Sequence, residues 1–237
     1  MVTRTLQIRT AAEATVSGVV DVPENCSPGR TPGLVLAHGQ NNTMHLPLLA
    51  AVATHLAGSG VASVLRFNFP YAERGAERPD GAPVLQAAFR GAHNALAHDP
   101  VCASEPILLG GKSLGARIAA ELASRGPEDE GLGAAGLVFL GFPLHAPGRK
   151  DQPRLEPLRH ITVPTLFIAG TRDPFCDLAL LQAAAAGLAY PGTVHLIEGG
   201  NHSFEVPAAA GRLQDDVHRE IAERVARFVR HVTESAE

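Results

Sequence analysis

A short glycine-flanked turn contains the residue of this sequence with the clearest capacity for chemistry. Residues 111–115 read Gly-Lys-Ser-Leu-Gly and match G-x-S-x-G, a pattern in which the serine lies on a sharp turn between a strand and a helix. The apolar residues 106–109 predict a strand before the match, and apolar residues at helical spacing follow it. Ser113 is therefore a candidate nucleophile. The alternative is a glycine-rich turn with an incidental serine.

A serine hydroxyl attacks a carbonyl effectively only when a base takes its proton and a third group orients that base. A sharp turn that presents a nucleophilic serine between a strand and a helix is called a nucleophile elbow. In the fold that carries this elbow, the acid and the histidine come after the serine in the chain, and each of them follows a later strand. Asp173 follows the predicted strand Thr165–Ala169, and His202 follows the predicted strand Thr193–Ile197. We therefore expect Ser113, Asp173 and His202 to meet at the carboxyl ends of parallel strands.

Both partners of the serine have rivals nearby. Asp177 directly precedes an apolar helical segment, a position that is more typical of a helix N-cap. His195 lies inside a predicted strand, where a packed or surface side chain is more typical. The remaining histidines are scattered and show no ligand spacing such as H-E-x-x-H, so we expect no metal site.

The oxyanion formed during acyl transfer requires two preorganised N–H donors. The first is predicted to be the backbone N–H of Leu114, the residue after the nucleophile. The second is predicted to be that of Gln40, in the loop His38-Gly39-Gln40-Asn41-Asn42 after the predicted strand Gly33–Ala37. A simple turn at the end of the strand is the alternative for this loop.

Strands and helices alternate along the chain that positions these residues. Apolar strands followed by helices with one apolar face predict an α/β fold with a mostly parallel sheet covered on both faces. No repeat or linker divides the chain, so residues 1–237 are expected to form one domain. The predicted strands are 6–8, 14–22, 33–37, 61–67, 107–109, 135–140, 165–169 and 193–197, and the predicted helices begin near residues 47, 85, 114, 178 and 213.

The segment between the predicted strand 135–140 and the next strand at Thr165 is too short for a cap domain. It has 24 residues, is interrupted by five prolines and shows no sustained apolar stripe. Such a segment can form one or two helical turns but cannot bury a core of its own. We therefore expect an open site without a cap.

The composition excludes several classes of protein. With 237 residues, 45% hydrophobic content and a net charge of −4, the chain can form a core and lacks the basic surface of a nucleic-acid-binding protein. Its three cysteines are far apart and predict no disulfide framework. The longest apolar runs are strand-sized, and the first ten residues lack the apolar run of a signal peptide. We expect a cytoplasmic protein without a cofactor or a membrane partner.

The order of these motifs resembles the α/β-hydrolase superfamily over nearly the whole chain. More narrowly, residues 66–71 (RFNFPY), 110–117 (GGKSLGAR) and 141–145 (GFPLH) resemble dienelactone-hydrolase-like bacterial proteins and relatives of regulatory subunit 3 of the NSL histone-acetylation complex. The resemblance implies an eight-stranded hydrolase sheet and a triad of Ser113, Asp173 and His202. Two features differ. Dienelactone hydrolases proper carry a cysteine nucleophile, and residues 41–42 are asparagines where relatives often have glycines.

These observations predict a serine hydrolase, with carboxylic esters of small acids as the expected substrates. Thioesters, amides and lactones use the same machinery, and a non-catalytic scaffold is the alternative because chromatin-associated relatives of this fold act in that way. Arg74, Arg78 and Arg117 either bind an anionic substrate or are merely solvated. Apolar residues near predicted strand ends either wall the acyl pocket or pack in the core, and they are Phe69, Phe142, Leu144, Phe175 and Phe204.

Overall fold

The computed structural model describes residues 1–10 and 14–234, and its centre is an eight-stranded sheet. The strand order is β1-β2-β4-β3-β5-β6-β7-β8, with β3 to β8 parallel and with β2 antiparallel to both β1 and β4. The sheet is therefore mostly parallel, as predicted. The strands are β1 (Val2–Arg9), β2 (Thr15–Val22), β3 (Gly33–Ala37), β4 (Ser63–Phe67), β5 (Ile107–Lys112), β6 (Leu137–Leu140), β7 (Thr165–Gly170) and β8 (Thr193–Ile197).

Helices cover both faces of the sheet because successive strand side chains point to opposite faces. On β3, Leu34 and Leu36 pack in the apolar cluster formed with α1 and α6, whereas Val35 and Ala37 pack in the cluster formed with α3 and α4. The helices are α1 (Pro47–Gly58), α2 (Pro70–Glu73), α3 (Ala82–Ala97), α4 (Leu114–Ala123), α5 (Leu178–Ala186) and α6 (Gln214–Glu234).

The strand and helix boundaries differ from the predicted ones by a few residues. β1 is longer than predicted because it pairs in register with all of β2. β4 begins at Ser63 rather than Val61, since the Val61 N–H still bonds the Leu56 carbonyl of α1. The short helix α2, which begins at a proline, was not predicted because four residues carry no periodic signal.

The segment between β6 and β7 contains only the 3₁₀ helix Glu156–His160 as regular structure. Within residues 1–10 and 14–234 there is thus no cap domain, in agreement with the prediction from its length and prolines. None of the helices in these residues is long and apolar enough to cross a membrane.

Candidate active site

The turn between β5 and α4 places Ser113 in a strained backbone conformation. Its φ of 51° and ψ of −106° lie outside the regions that a serine ordinarily adopts. Close packing leaves no room for side chains on either side of the serine. A Cβ on Gly111 would lie 2.6 Å from the backbone carbon of Gly115, and one on Gly115 would lie 2.4 Å from the Ala37 carbonyl oxygen. The two glycines therefore allow β3, β5 and α4 to meet at the elbow.

The structure brings Ser113, His202 and Asp173 into one chain of hydrogen bonds. His202 Nε2 lies 2.9 Å from Ser113 Oγ, and His202 Nδ1 lies 2.7 Å from Asp173 Oδ2. The Asp173 side chain is fully buried, and its other oxygen accepts the Phe175 N–H at 2.8 Å. Because a carboxylate only accepts, His202 donates from Nδ1 and its Nε2 is left to accept the serine proton.

Loops at the carboxyl ends of β7 and β8 hold the acid and the base. The Arg172 N–H donates to the Gly200 carbonyl at 2.9 Å, which fastens the Asp173 loop to the His202 loop. Asn201 Oδ1 accepts the N–H groups of Ser203 and Glu205 at 2.8 and 3.0 Å, which closes the turn that carries His202. The imidazole is thus fixed by its own loop as well as by Asp173.

The loop after β3, residues 38–44, is supported by the motif RFNFPY of residues 66–71. Arg66 donates to the Met44 carbonyl at 3.1 Å, and Asn68 Oδ1 accepts the Met44 N–H at 2.8 Å. Arg66 also pairs with the buried Asp21 at 2.8 Å. In the sequence this motif was apparent only as a resemblance to a family. The available signal for a supporting role was a charged residue within an apolar strand, Arg66, and a polar residue directly after it, Asn68.

Two donors hold the Gly39 carbonyl at the start of this loop. Tyr71 Oη donates to it at 3.2 Å, and His38 Nδ1 lies 2.8 Å from it. His38 Nε2 accepts the Phe69 N–H at 3.0 Å, so Nδ1 carries the proton and the ring is neutral. Burial lowers the pKa of His38 and raises that of Tyr71 to about 12, so both groups remain neutral donors at pH 7.

The backbone N–H groups of Gln40 and Leu114 have no protein acceptor within the described part of the chain. A peptide C=O and the N–H of the same peptide unit point in opposite directions. Because Tyr71 and His38 hold the Gly39 carbonyl, the N–H of Gln40 points to the other side of that peptide. Gln40 lines the same cavity as Ser113, and a Cβ on Gly39 would lie 3.4 Å from Ser113 Cβ.

A cavity of about 660 Å³ opens at Ser113. Phe175 lies over His202 with 4.3 Å between ring centroids and lines this cavity. A second cavity, of about 510 Å³, lies on the far side of Asn41 and Asn42. The lining of the first cavity also includes Gly39, Gln40, Leu46, Pro47, Leu48, Lys112, Ser203, Glu205, Gln214 and His218.

Three of the four phenylalanines proposed for the acyl pocket pack in the core and do not line the cavity. Phe69 contacts the aromatic rings of Phe67 and Tyr71, and Phe142 contacts Phe139. Phe204 is fully buried in the cluster beneath α1 and α6, and Leu144 is also buried. Their side chains point inward at the strand ends, so burial in the core is the correct interpretation for them.

Asp177 and His195, the alternatives to Asp173 and His202, make contacts outside the hydrogen-bonded chain of Ser113, and the three arginines considered as substrate ligands do not line the cavity. Asp177 caps α5 by accepting the Leu180 N–H at 3.1 Å, and His195 Nε2 lies 2.7 Å from Glu220 on α6. Arg74 pairs with Asp80 at 2.6 Å and lines neither cavity. Likewise Arg78 and Arg117 are absent from the lining of both cavities. Over residues 1–10 and 14–234, no three His, Cys, Asp or Glu side chains are arranged to hold a metal ion.

Comparison with known proteins agrees with this fold. The chain resembles a dienelactone hydrolase from Anabaena variabilis with 21% identity and a TM-score of 0.74, covering 97% of both chains. It resembles an esterase domain from a Rhodothermus marinus protein with 17% identity and a TM-score of 0.71, covering 98% and 99%. It also resembles a serine hydrolase without a lid from Xanthomonas campestris, with 19% identity and a TM-score of 0.66, covering 98% and 94%.

At these identities the structural likeness shows a shared fold. A family described as "Alpha/beta hydrolase domain" matches residues 30–230, which is most of the chain. The chain belongs to this alpha/beta hydrolase family.

Proposed function

We propose that the protein is a serine hydrolase that cleaves carboxylic esters of small acids. The observation that carries this proposal is the continuous chain of hydrogen bonds from Ser113 through His202 to a fully buried Asp173. A strained serine that opens onto a cavity and is bonded to an oriented imidazole is the arrangement that nucleophilic catalysis requires. We choose esters rather than amides as the substrate class because a protein domain of the same fold, from Rhodothermus marinus, is described as an esterase.

Acylation follows from the geometry of these groups. His202 Nε2 takes the Ser113 proton as Ser113 Oγ forms a bond to the acyl carbon, and the carbonyl oxygen becomes an oxyanion. The C–O bond to the alcohol then breaks, and the alkoxide oxygen receives the proton from His202. Asp173 stabilises the imidazolium and keeps the ring in the required tautomer without taking the proton itself.

Deacylation repeats these steps with water. His202 takes a proton from a water molecule, whose oxygen attacks the acyl carbon. The bond to Ser113 Oγ then breaks, and the serine regains its proton from His202. The acid leaves and the resting state is restored.

In this mechanism the N–H groups of Leu114 and Gln40 hold the oxyanion in both steps. Two observations support this role. Neither N–H group has an acceptor among the described residues, and Gln40 lines the cavity at Ser113. Such donors lower the barrier because they are already oriented before charge develops.

Replacement of the nucleophile tests the proposal. Ser113→Ala should lower kcat toward p-nitrophenyl acetate by about 10³-fold or more, because members of a triad act as a unit. Ser124→Ala, at the opposite end of α4, is the matched control and should retain full turnover. Circular dichroism establishes that both variants fold. A folded Ser113→Ala protein with most of its turnover would refute the proposal.

A further inference from the structure

Lys112, the residue before the candidate nucleophile, places a buried positive charge at the cavity. It is only 5% exposed, yet it lines the same cavity as Ser113 and His202. Within the described residues, no carboxylate lies within 4.0 Å of its ammonium and no atom accepts a hydrogen bond from it. The Phe204 ring, whose centroid lies 5.7 Å from Nζ, is its aromatic neighbour. The lysine is therefore a buried cation without a direct hydrogen-bonding partner, and the Asp173 charge acts on it from beyond 4.0 Å.

The ammonium lies beside the reacting groups. A Cβ built on Gly141 would lie 3.2 Å from Lys112 Nζ and 3.6 Å from His202 Cε1, so the two groups flank the same small space. Asp173 makes no hydrogen bond to it, and its two oxygens accept from His202 and from the Phe175 N–H. Glu205, the carboxylate of the cavity lining, is exposed and accepts a hydrogen bond from Asn201 at 2.8 Å.

A buried ammonium without a hydrogen-bond acceptor is unfavourable, and a ligand that accepts from it would offset that cost. Burial lowers the pKa of Lys112 to about 8, and the charge of Asp173 opposes this shift. The side chain is thus mainly an ammonium at pH 7. A carboxylate is the complementary group, because it accepts charge-assisted hydrogen bonds from an ammonium.

We propose that Lys112 binds a carboxylate of the substrate, so that the preferred substrates are small esters that also carry a free acid. This inference rests on the proposed ester hydrolysis and names its substrate class. The carboxylate lies within reach of Nζ while the ester carbonyl lies at Ser113. The bound carboxylate supplies the hydrogen-bond acceptor that the described residues do not give to Nζ.

The preference is measured with pairs of esters that differ only in charge. Ethyl hydrogen succinate is compared with ethyl 4-oxopentanoate, in which a methyl ketone replaces the acyl-side carboxylate. 3-Acetoxypropanoate is compared with 4-acetoxybutan-2-one, which tests a carboxylate on the alcohol side. A pH-stat gives kcat/KM for each. In at least one pair the wild-type protein should prefer the acid by about tenfold or more, as expected for a hydrogen bond between charged groups.

Two lysine variants assign the preference to one side chain. Lys112→Met keeps the length of the side chain and removes its charge, so the acid-to-ketone ratio of kcat/KM should fall to about one. Lys150→Met is the matched control, because Lys150 is the other lysine of the chain and pairs with Asp177 away from the cavity. It should keep the wild-type ratio.

A measurement on the wild-type protein remains informative even if Lys112→Met does not fold. The ratio should decline as the pH rises through about 8, since kcat/KM reports the free enzyme and the ammonium loses its proton there. The other titratable groups of the cavity lining are His202, Glu205 and His218. The ordinary pKa values of histidine and glutamate side chains lie below 7, so a decline of the ratio between pH 7 and 10 is assigned to Lys112.

The outcomes separate this inference from the proposed function. Equal kcat/KM within both pairs would overturn the inference and leave ester hydrolysis standing, as would a preference that persists in folded Lys112→Met or that stays constant from pH 7 to 10. If the protein hydrolysed neither p-nitrophenyl acetate nor a single one of the four esters, the proposed function would be overturned instead.

Discussion

Two aspartates lie within the seven residues that follow β7, and only Asp173 faces the imidazole. The Asp173 carboxylate is fully buried against His202 Nδ1, whereas Asp177 caps α5 and pairs with Lys150 at 2.8 Å. Lys150 and the Leu180 N–H lower the pKa of the half-buried Asp177, so that side chain is a stable anion with a local role. Asp177 is therefore a suitable control position for a substitution at Asp173.

Replacing each aspartate with asparagine should separate these roles. In Asp173→Asn the imidazole is left in the wrong tautomer, and we expect kcat for p-nitrophenyl acetate to fall by about 10⁴-fold. In Asp177→Asn we expect kcat to stay within about twofold of wild type, since asparagine also caps helices. Steady-state kinetics on both purified variants gives the ranking, and the reverse order would place the acid at Asp177.

Tyr71 is expected to act through the Gly39 carbonyl rather than on the substrate. Tyr71→Phe removes one of the two donors that hold this carbonyl, so the Gln40 N–H becomes less well aimed at the oxyanion. We expect kcat to fall by about threefold to tenfold with little change in KM. The control is Tyr190→Phe, because Tyr190 is 57% exposed. A raised KM with unchanged kcat would contradict this positioning role.

At the residue scale, the three residues of the hydrogen-bonded chain were easier to select from the sequence than the residues that surround them. Ser113, Asp173 and His202 could be selected because each follows a strand end, and strand ends are visible in the apolar pattern. The direction of a side chain at a strand end depends on tertiary packing. For that reason Phe69, Phe142 and Phe204 could not be distinguished from Phe175, and the burial of Lys112 was not visible.

At the scale of elements, the elbow depends on how closely α4 approaches β3. A Cβ on Gly115 would lie 2.4 Å from the Ala37 carbonyl oxygen and 2.8 Å from the Ala37 side chain. Since the obstacle is backbone inside a packed sheet, relief requires a shift of the whole helix. The N–H of Leu114 would move with it.

Gly115→Ala is therefore expected to lower the free energy of unfolding by about 1–3 kcal/mol, the usual cost of overpacking. Gly58→Ala, at the end of α1, should be neutral or slightly stabilising, because a Cβ there meets nothing within 4 Å and alanine favours helix. Urea unfolding followed by circular dichroism compares the two. Equal stabilities would contradict the packing described for the elbow.

The arrangement of elements was predictable because parallel strands and amphipathic helices have distinct periods. The apolar face of α6, with buried residues from Val217 to Val232, was visible in the sequence. The short helix α2 and the full length of β1 were not, since the first has too few residues and the second is fixed by pairing with β2.

At the scale of the whole molecule, the cavity opens directly to solvent without a cap over the described chain. The 3₁₀ helix Glu156–His160 is the regular structure between β6 and β7, where a cap would be inserted. The reaction should therefore require no opening of a lid. This expectation concerns access to the site and is independent of the identity of the substrate.

Turnover of tripropionin should rise smoothly with concentration and saturate below its solubility limit. Rates measured across that limit provide the test, with p-nitrophenyl acetate as a fully soluble reference. Activity that is absent in solution and jumps when droplets form would indicate a mobile cover over Ser113.

Covalent labelling of the nucleophile tests the central claim most directly. The protein is incubated with diisopropyl fluorophosphate, and its intact mass is measured before and after peptide mapping. We predict one phosphoryl adduct per chain, located on Ser113, because only an activated serine displaces fluoride from phosphorus at a useful rate. Ser113→Ala should remain unlabelled, and Ser124→Ala should label as the wild type does. An unmodified wild-type protein, or an adduct on any other residue, would contradict the claim that Ser113 is the nucleophile of a hydrolase.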